Sequence, residues 1–243
     1  MKTLGVIGGL GPAATSYFYE RVIDMTDALI DQDHIDMMII SRPSVPDRTA
    51  YILDKDRENP YPHLKNIAET LADNGASIIA MPCITAHYFQ SQLEQDCKVP
   101  VIDGIGETVS LIKAAGYRRI GIMATEGTIN SRLFQKAIEQ AGLEAIIPDD
   151  IHEKMVMELI YDYVKAGKNA DMDMFGTVVS GLLNDGAEII ILGCTELSVI
   201  KKMNNIGDGF IDVIDVISRK SVLECGKLKE EYMNLLKPAD KNS

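Results

Sequence analysis

Two cysteines are the residues of this chain whose type and position best suit chemistry. Cys83 follows the apolar run 76–82, Cys194 follows the apolar run 187–193, and a helix start follows each of them. A thiol at the end of a strand lies close to the unpaired backbone N–H groups of the next helix, and these groups favour the thiolate. The two motifs therefore predict a site with one reactive thiol on each side.

The sequence around the two cysteines is repeated along the chain. Three pairs of segments match one another, namely 4–8 with 120–124, 76–83 with 187–194, and 101–103 with 210–212. A duplicated unit related by a pseudo-two-fold axis places equivalent residues on opposite sides of the cleft between its halves. We therefore expect Cys83 and Cys194 to face each other across that cleft.

Short apolar runs alternate with helical patterns throughout, which is typical of βα units built on a parallel sheet. Glycines such as Gly75 and Gly186 follow the helical patterns and mark helix ends. The predicted fold class is α/β, with two pseudo-two-fold-related domains, each a four-stranded parallel sheet flanked by helices. The predicted strands are 3–8, 36–41, 77–82, 99–103, 119–124, 144–147, 188–193 and 209–212.

Other uses of the cysteines account for the pattern less well. A single cysteine at a strand end is usually a small buried hydrophobic residue, but two at equivalent positions favour a shared role. A zinc site is a weak interpretation, because neither motif has a Cys-x-x-Cys pair and only His87 lies nearby. A thiol hydrolase would use one cysteine with a histidine base and leave the other without a role. Cys97 and Cys225 lack the strand-end context and are interpreted as structural.

A glycine-rich turn follows the first strand. Gly9-x-Gly11-x-x-Ala14 matches a permissive dinucleotide-binding motif. The match is weak, because a dinucleotide-binding site is expected to have an acidic residue after the second strand, where this chain has Arg42. Arg42 leaves open the interpretation that the turn binds NADP. Pro12 in the first turn suits a helix whose N-terminal amides face an anion such as a substrate carboxylate, which is the interpretation we prefer.

Three further segments have both a binding and a structural interpretation. Arg48 lies in the loop after the second strand, where open α/β sheets bind ligands, or it pairs with Asp47 on the surface. Thr125 and Thr128, in the turn equivalent to the glycine-rich one, hold one end of a small dianion, cap a helix, or do both. Lys165 near a helix end is by default a partner of the helix dipole.

Composition limits the kinds of partner. The formal net charge is −12, the apolar fraction is 46%, and no basic stripe is present, so nucleic acid and anionic membrane surfaces are not expected partners. An anionic substrate is not excluded, because a few cations in a pocket outweigh a screened long-range field. No stretch resembles a membrane span or a cleaved signal peptide, so we expect a cytoplasmic protein with reduced cysteines.

Four separated motifs resemble those of the aspartate/glutamate racemase family, the cofactor-independent amino-acid racemases. They are Gly-Gly-Leu-Gly-Pro-Ala-Ala-Thr at 8–15, Pro-Asp-Arg at 46–48, Met-Pro-Cys-Ile-Thr-Ala-His at 81–87 and Leu-Gly-Cys-Thr-Glu-Leu at 192–197. The resemblance implies an active site between two α/β domains, which are residues 1–104 completed by a C-terminal helix at 214–243, and residues 105–213. It also implies a homodimer that needs no cofactor and no metal.

The resemblance implies roles for individual residues. Cys83 and Cys194 would be the two acid/base residues, and Arg48 and Lys165 would bind the side-chain carboxylate of a small anionic amino acid. The predicted reaction is a two-base proton transfer at Cα, in which one thiolate removes a proton and the opposite thiol delivers another. The other implied substrate-binding positions are Gly9, Leu10, Ile84, Thr85, Thr125, Thr128, Thr195 and Glu196.

The chain departs from the family pattern at Ile84, where similar enzymes have Asn. Isoleucine makes none of the hydrogen bonds of an amide, at a cost of about 1 to 3 kcal/mol for a buried polar head group. The predicted function is cofactor-independent racemisation of an acidic amino acid, aspartate or also glutamate. Two alternatives stay open: a ligand-binding homologue that has lost turnover, and a related cysteine-dependent isomerase or decarboxylase of a small diacid.

Overall fold

The computed structural model describes residues 2–236 and contains two parallel β-sheets flanked by helices. The first sheet has the order β2-β1-β3 and the second has the order β5-β4-β6-β7. The α/β class predicted from the sequence is confirmed. The strands are β1 (Leu4–Gly8), β2 (Met37–Ser41), β3 (Ile78–Ala80), β4 (Arg119–Met123), β5 (Glu144–Ile146), β6 (Ile189–Leu192) and β7 (Phe210–Asp212).

Helices connect the strands and cover both faces of each sheet. Between residues 2 and 236, no helix combines the length and the apolarity that crossing a bilayer requires. The α-helices are α1 (Pro12–Met25), α2 (Arg48–Leu53), α3 (Tyr61–Asp73), α4 (Gln90–Asp96), α5 (Gly104–Ala115), α6 (Glu126–Asn130), α7 (Leu133–Gln140), α8 (Asp150–Glu158), α9 (Met172–Asn184), α10 (Thr195–Met203) and α11 (Val213–Cys225). A 3₁₀ helix spans Ile84–Phe89 and a π-helical segment spans Leu159–Val164.

Aspartate side chains begin several of these helices. Asp47, Asp103, Asp149, Asp171 and Asp212 each accept a hydrogen bond from a backbone N–H in the first turn of the helix that follows. Each cap satisfies an amide that the helix itself leaves unpaired, and such a cap contributes about 1 kcal/mol. The caps stand directly after strands or loops, so they fix where each helix leaves the sheet edge.

The two sheets repeat the same arrangement. β1 and β4 lie inside their sheets, and each pairs in parallel with the strand that precedes a cysteine motif, β3 or β6. On its other side each pairs with the strand that follows it in the chain, β2 or β5. The duplication read from the sequence is therefore present in the strand order.

The first sheet is one strand shorter than predicted. Residues 99–103 form no strand, and only Val101 makes an isolated bridge with Ile79. Two backbone hydrogen bonds hold this bridge, from the N–H of Ile79 to Pro100 and from the N–H of Ile102 to Ile79. Pro100 has no N–H of its own, and the chain enters α5 at once, so the pairing does not extend. The prediction of four strands in each sheet is correct for the second sheet and wrong for the first.

One apolar cluster contacts a face of each sheet. It contains Val6 from β1, Ile122 from β4 and Ile217 from α11, together with residues of α1, α5 and α7. Side chains that alternate with these, such as Ile7 and Met123, point into separate clusters on the outer faces of the two sheets. This alternation follows the two-residue period of a strand, and both faces are apolar because helices cover both.

The C-terminal helix is shorter than predicted. α11 packs against α1 and α5, and it ends at Cys225, where Gly226 follows. A 3₁₀ turn at Glu230–Tyr232 comes next, so the predicted helix at 214–243 is wrong beyond Cys225. Residues 237–243 of that prediction lie outside the described residues. The division into domains 1–104 plus 214–243, and 105–213, stays a prediction.

His87 is a buried ionisable side chain on the 3₁₀ helix Ile84–Phe89. Its Nε2 lies 3.0 Å from the carbonyl oxygen of Met81, and a carbonyl only accepts, so Nε2 carries the hydrogen and donates. Burial lowers the pKa of His87, because the charged imidazolium loses its hydration. The folded protein therefore holds this histidine neutral at a pH where the unfolded chain would bind a proton.

We expect the protein to lose stability as the pH falls below about 6.5, the ordinary pKa of histidine in an unfolded chain. Below that pH the unfolded state binds more protons at His87 than the folded state. The free energy of unfolding therefore falls by up to about 1.4 kcal/mol for each pH unit. His87→Gln keeps a donor for Met81 and removes the titration. Urea unfolding from pH 7 to pH 5 should show a steeper loss for the wild type than for His87→Gln.

Asp212 titrates in the same range and has the opposite effect. Burial and the neighbouring Asp215 raise its pKa to about 6, so its contribution to stability is lost as the pH rises through that value. Asp212 is present in both proteins, and the difference between them therefore isolates His87. Equal pH slopes for the two proteins would show that His87 is not held neutral by the fold.

Candidate active site

A narrow cavity lies where the carboxyl ends of strands from the two sheets meet. Both Cys83 and Cys194 line it, and the free space inside it is about 10 Å³. Each cysteine residue is 7% exposed. The predicted residues that line this cavity are Leu10, Arg48, Cys83, Ile84, Thr85, Thr125, Lys165, Cys194, Thr195 and Glu196.

Cys83 lies beside a buried cation. It stands three residues after β3 and precedes the 3₁₀ helix, and Arg48 Nη2 donates to its Sγ at 3.9 Å. Burial alone would lower the pKa of Arg48, but negative charge on Cys83 and Asp47 raises it above its usual value. Arg48 therefore stays charged next to the sulfur. This overturns the surface interpretation of Arg48, since its side chain is buried in the cavity wall.

Carbonyl oxygens hold the guanidinium of Arg48 in place. Nη1 donates to the carbonyls of Val45 at 3.4 Å and Pro46 at 3.1 Å, and Nη2 donates to Leu10 at 3.1 Å. The buried Nε has no hydrogen-bond partner within the protein. A buried donor without a partner costs about 1 to 3 kcal/mol, so this atom is suited to an acceptor from a ligand.

Cys194 lies beside a buried carboxylate instead. It caps α10 directly after β6, and its Sγ donates to Glu196 Oε2 at 2.9 Å. The Thr195 hydroxyl donates to the same oxygen at 2.8 Å. Burial and the charge of Glu196 raise the pKa of Cys194 well above its usual value, although Lys165 opposes them. The prediction that the helix N-terminus favours a thiolate is wrong for Cys194, because these two effects outweigh the helix dipole.

Lys165 follows the π-helical segment Leu159–Val164. Its Nζ lies 3.8 Å from the centroid of the Tyr161 ring, as a cation–π contact. Burial alone would lower the pKa of Lys165, but the negative charge of Glu196 raises it. Lys165 therefore stands at the C-terminal end of a helical segment and is also a second cation of the cavity.

Three threonine hydroxyls join the two halves at the base of the cavity. Thr85, Thr125 and Thr128 lie 3.1 Å from one another, oxygen to oxygen. Thr125 also caps α6, where its hydroxyl accepts from the backbone N–H of Thr128 at 3.3 Å. Thr85 and Thr125 line the cavity, whereas Thr128 is fully buried behind them. The capping role and the contact between halves therefore occur together.

The glycine-rich turn supports the cavity through its backbone. Gly9 has φ of +86°, and a Cβ there would come within 2.3 Å of the Arg42 backbone nitrogen. The N–H of Gly9 donates to Thr15 Oγ1 at 2.8 Å, so this predicted binding amide already has a partner. Arg42 donates to Asn66 at 3.0 Å and does not line the cavity, which removes the contact that the NADP reading requires.

Three lining residues were not predicted from the sequence. Asp47 and Thr49 flank Arg48, and Tyr161 precedes Lys165 by four residues. That i, i+4 spacing puts Tyr161 and Lys165 on one helix face, and it is the signal that could have identified the tyrosine. Among residues 2–236, no group of three or more His, Cys, Asp or Glu side chains is arranged to hold a metal ion.

These features define an α/β protein of two repeated halves with a two-thiol cavity between their strand ends. A family model described as Asp/Glu/Hydantoin racemase matches residues 7–219. The chain belongs to this family, as its motifs suggested, and membership supports an amino-acid racemase activity.

Individual relatives agree with this assignment. The broad specificity amino-acid racemase RacX of Bacillus subtilis is 29% identical over 203 residues, which are 81% of this chain and 86% of that protein. The aspartate racemase of Picrophilus torridus is 30% identical, with a TM-score of 0.82 over 96% of this chain and 98% of that one. A glutamate racemase from Francisella tularensis, solved with D-glutamate, shares the fold at 19% identity, with a TM-score of 0.66 over 98% of this chain and 86% of that one.

The two thiols should differ in reactivity because their neighbours have opposite charge. At pH 8 iodoacetamide should modify Cys83, beside Arg48, faster than Cys194, because burial and the charge of Glu196 raise the pKa of Cys194 and leave less of it as thiolate. Glu196→Gln removes the adjacent charge and should speed modification of Cys194. Peptide mass spectrometry over a time course measures each rate.

Glu139→Gln is the matched control, because Glu139 pairs with Arg132 on the surface and lies outside the cavity. It should leave both rates unchanged. Faster modification of Cys194 than of Cys83 in the wild type would contradict the charge assignment.

Proposed function

We propose that the protein racemises an acidic amino acid, aspartate foremost, by proton transfer between Cys83 and Cys194. The observation that carries the proposal is that both thiols line one small cavity, from opposite halves of the repeat, together with the cations of Arg48 and Lys165. The 30% identity to an aspartate racemase over nearly the whole chain supports the same substrate class.

The groups beside the two thiols support one direction of transfer first. Cys83 faces the Arg48 cation and is assigned the role of base, and Cys194 carries a hydrogen that it donates to Glu196. The Cys83 thiolate takes the Cα proton, so an S–H bond forms and the Cα–H bond breaks, with the electron pair delocalised onto the α-carboxylate. Cys194 then gives its proton to the opposite face of Cα and becomes the thiolate, which yields the mirror-image amino acid.

The carbanion needs donors aimed at the carboxylate that takes up its charge. Hydroxyl groups of Thr85 and Thr125 line the cavity, and the backbone N–H groups that begin α10 lie next to Cys194. Fixed donors of this kind in a site that excludes water stabilise developing charge without reorganisation. Ile84 contributes no hydrogen bond there, and it packs in the apolar cluster beside Ala80 and Ile102. The threonine hydroxyls therefore provide the hydrogen bonds that an asparagine side chain at position 84 would make.

The two cations suit the second carboxylate of the substrate. The unpaired Nε of Arg48 is a free donor, and the Lys165 ammonium lies on the Cys194 side of the cavity. A charge-assisted hydrogen bond to a carboxylate is about twice as strong as a neutral one. A diacid bound this way would hold its Cα between the two thiols.

Replacing either cavity cysteine should abolish racemisation. Cys83→Ala and Cys194→Ala each remove one of the two acid/base groups, and loss of one such group costs about 10²- to 10⁴-fold in rate. The rate of circular-dichroism change with L- and D-aspartate and L- and D-glutamate measures full interconversion. Proton NMR in D₂O measures Cα exchange, and one single variant should still exchange the enantiomer that its remaining thiol faces.

Cys97→Ala is the matched control, since Cys97 is a free, half-buried cysteine outside the cavity, and it should keep wild-type rates. Full interconversion by either cavity variant would refute the two-thiol mechanism. Binding of aspartate without Cα exchange in the wild type would favour the ligand-binding alternative. Conversion of maleate or malonate with unchanged amino acids would favour the isomerase or decarboxylase.

Arg48→Lys should weaken aspartate binding although the charge is kept. A lysine has no planar fork, so it cannot satisfy the Leu10 and Pro46 carbonyls and a substrate carboxylate together. We expect KM for aspartate to rise by about tenfold or more, the size of one lost charge-assisted bond. Steady-state kinetics measure the change, and an unaltered far-UV spectrum checks the fold. An unchanged KM would show that Arg48 does not contact the substrate.

A further inference from the structure

Two cavities in this protein share a wall, and Tyr161 forms part of it. The inner cavity holds the two thiols. An outer cavity, about 1020 Å³ including space open to solvent, lies on the other side of Tyr161. Its lining is mainly acidic, with Glu126, Asp150, Glu153, Glu158 and Asp162 against the single cation Lys154. Of the residues that line the inner cavity, Tyr161 alone also lines the outer one.

The hydroxyl of Tyr161 spans the two halves of the protein. It donates to Asp47 Oδ2 at 3.4 Å, and Asp47 caps α2 in the first half while Tyr161 belongs to the second. The hydroxyl also interacts with the Thr49 side chain, and burial raises the pKa of Tyr161, so it remains a neutral donor. A hydrogen bond of 3.4 Å to a half-exposed carboxylate is long and weak, so little free energy is needed to break it.

The ammonium of Lys165 lies over the ring of Tyr161. Their separation of 3.8 Å places the cation directly over the ring. The same side chain therefore closes the inner cavity and positions one of its two cations. Both residues lie in or just after a π-helical turn, a distortion that occurs often at functional sites.

The inner cavity cannot exchange a ligand while every wall stays in place. Arg48, Cys83, Cys194 and Glu196 are each less than 10% exposed. On the Cys83 side, the backbone carbonyls of Pro46 and Leu10 accept hydrogen bonds from Arg48, and these bonds hold that part of the wall in place. Tyr161 lies between the inner and the outer cavity, and its hydroxyl is held across the halves by the long hydrogen bond to Asp47 and by the contact with Thr49. Asp47 and Lys165, which also line the inner cavity, are exposed.

We propose that Tyr161 is the positioning residue that gates this site: it moves into the space of the outer cavity to admit an acidic amino acid to the inner one and, on return, sets Lys165 against the substrate. The substrate class in this statement rests on the proposed function. The gate itself rests on the contacts of Tyr161 and is independent of turnover.

Thiol access tests the gate without any assay of racemisation. Tyr161→Ala removes the wall, and we expect iodoacetamide to modify Cys83 about tenfold faster than in the wild type, because the closed state no longer limits entry. Tyr161→Phe keeps the ring and loses only the hydroxyl contact with Asp47, so its rate should rise less, by about two- to threefold. Tyr163→Ala, on the same helical segment but lining neither cavity, should leave the rate unchanged.

Steady-state kinetics test the positioning of Lys165. Tyr161→Ala should raise KM for aspartate by about two- to fivefold, the range for a cation–π contact at an exposed lysine, with a smaller change in kcat. Tyr161→Phe should restore KM to within about twofold of the wild type, since the cation–π contact remains. If the tyrosine had a purely structural role, its loss would lower kcat and stability without raising KM more than it changes kcat.

The outcomes separate the gate from the proposed function. Wild-type alkylation rates in Tyr161→Ala, or an equal increase in Tyr163→Ala, would overturn the gate. A faster alkylation rate in Tyr161→Ala with no racemisation by the wild type would support the gate and reject the proposed function. An unchanged KM in Tyr161→Ala would reject the positioning of Lys165.

Discussion

Exclusion of water from one small cavity is the constraint on which the site depends. Arg48, Cys83, Cys194 and Glu196 are all buried there, so the charge of each group is set by its neighbours and not by solvent. An isolated charge would be expensive in such a place. The structure therefore places each anionic or potentially anionic atom beside a donor or a cation, and each cation beside negative charge.

The repeated fold brings the two thiols to equivalent places but gives them unequal partners. Cys83 and Cys194 both stand between a strand and a helix, yet one faces a guanidinium and the other a carboxylate. The residues four positions after each cysteine, His87 and Ser198, also differ in their partners. His87 bonds the backbone of its own half, whereas Ser198 donates to the capping carboxylate Asp212 at 2.6 Å. Duplication supplies the geometry of two opposed groups, and later divergence of neighbouring side chains sets their protonation.

Much of the fold and the centre of the site could be read from the sequence, because those parts follow from local patterns. The strand runs, the glycine helix ends and the repeated cysteine motifs all depend on residues close together in the chain. The missing strand at 99–103 depended on whether Pro100 could join a ladder, and α11 ends at Cys225, before Gly226, well short of the predicted end. Neither can be decided from an apolar run or a helical period alone.

The parts of the site that the sequence did not reveal involve contacts between distant segments. Tyr161 meets Asp47 across 114 residues of chain, and nothing in the local pattern around either residue indicates the other. The raised pKa of Cys194 likewise comes from the direction in which the Glu196 side chain turns, which a motif does not specify. Cavity walls and protonation states are therefore the features that required coordinates.

The apolar cluster that touches a face of each sheet has a further consequence for how this molecule can move. Because Val6, Ile122 and Ile217 belong to one continuous interior, a rigid-body hinge opening of the halves would expose much of that interior to water. Buried apolar surface resists such exposure by about 25 cal/mol for each Å². Motion at the cavity is thereby confined to single side chains and short turns at its rim, where displacement leaves the common interior intact.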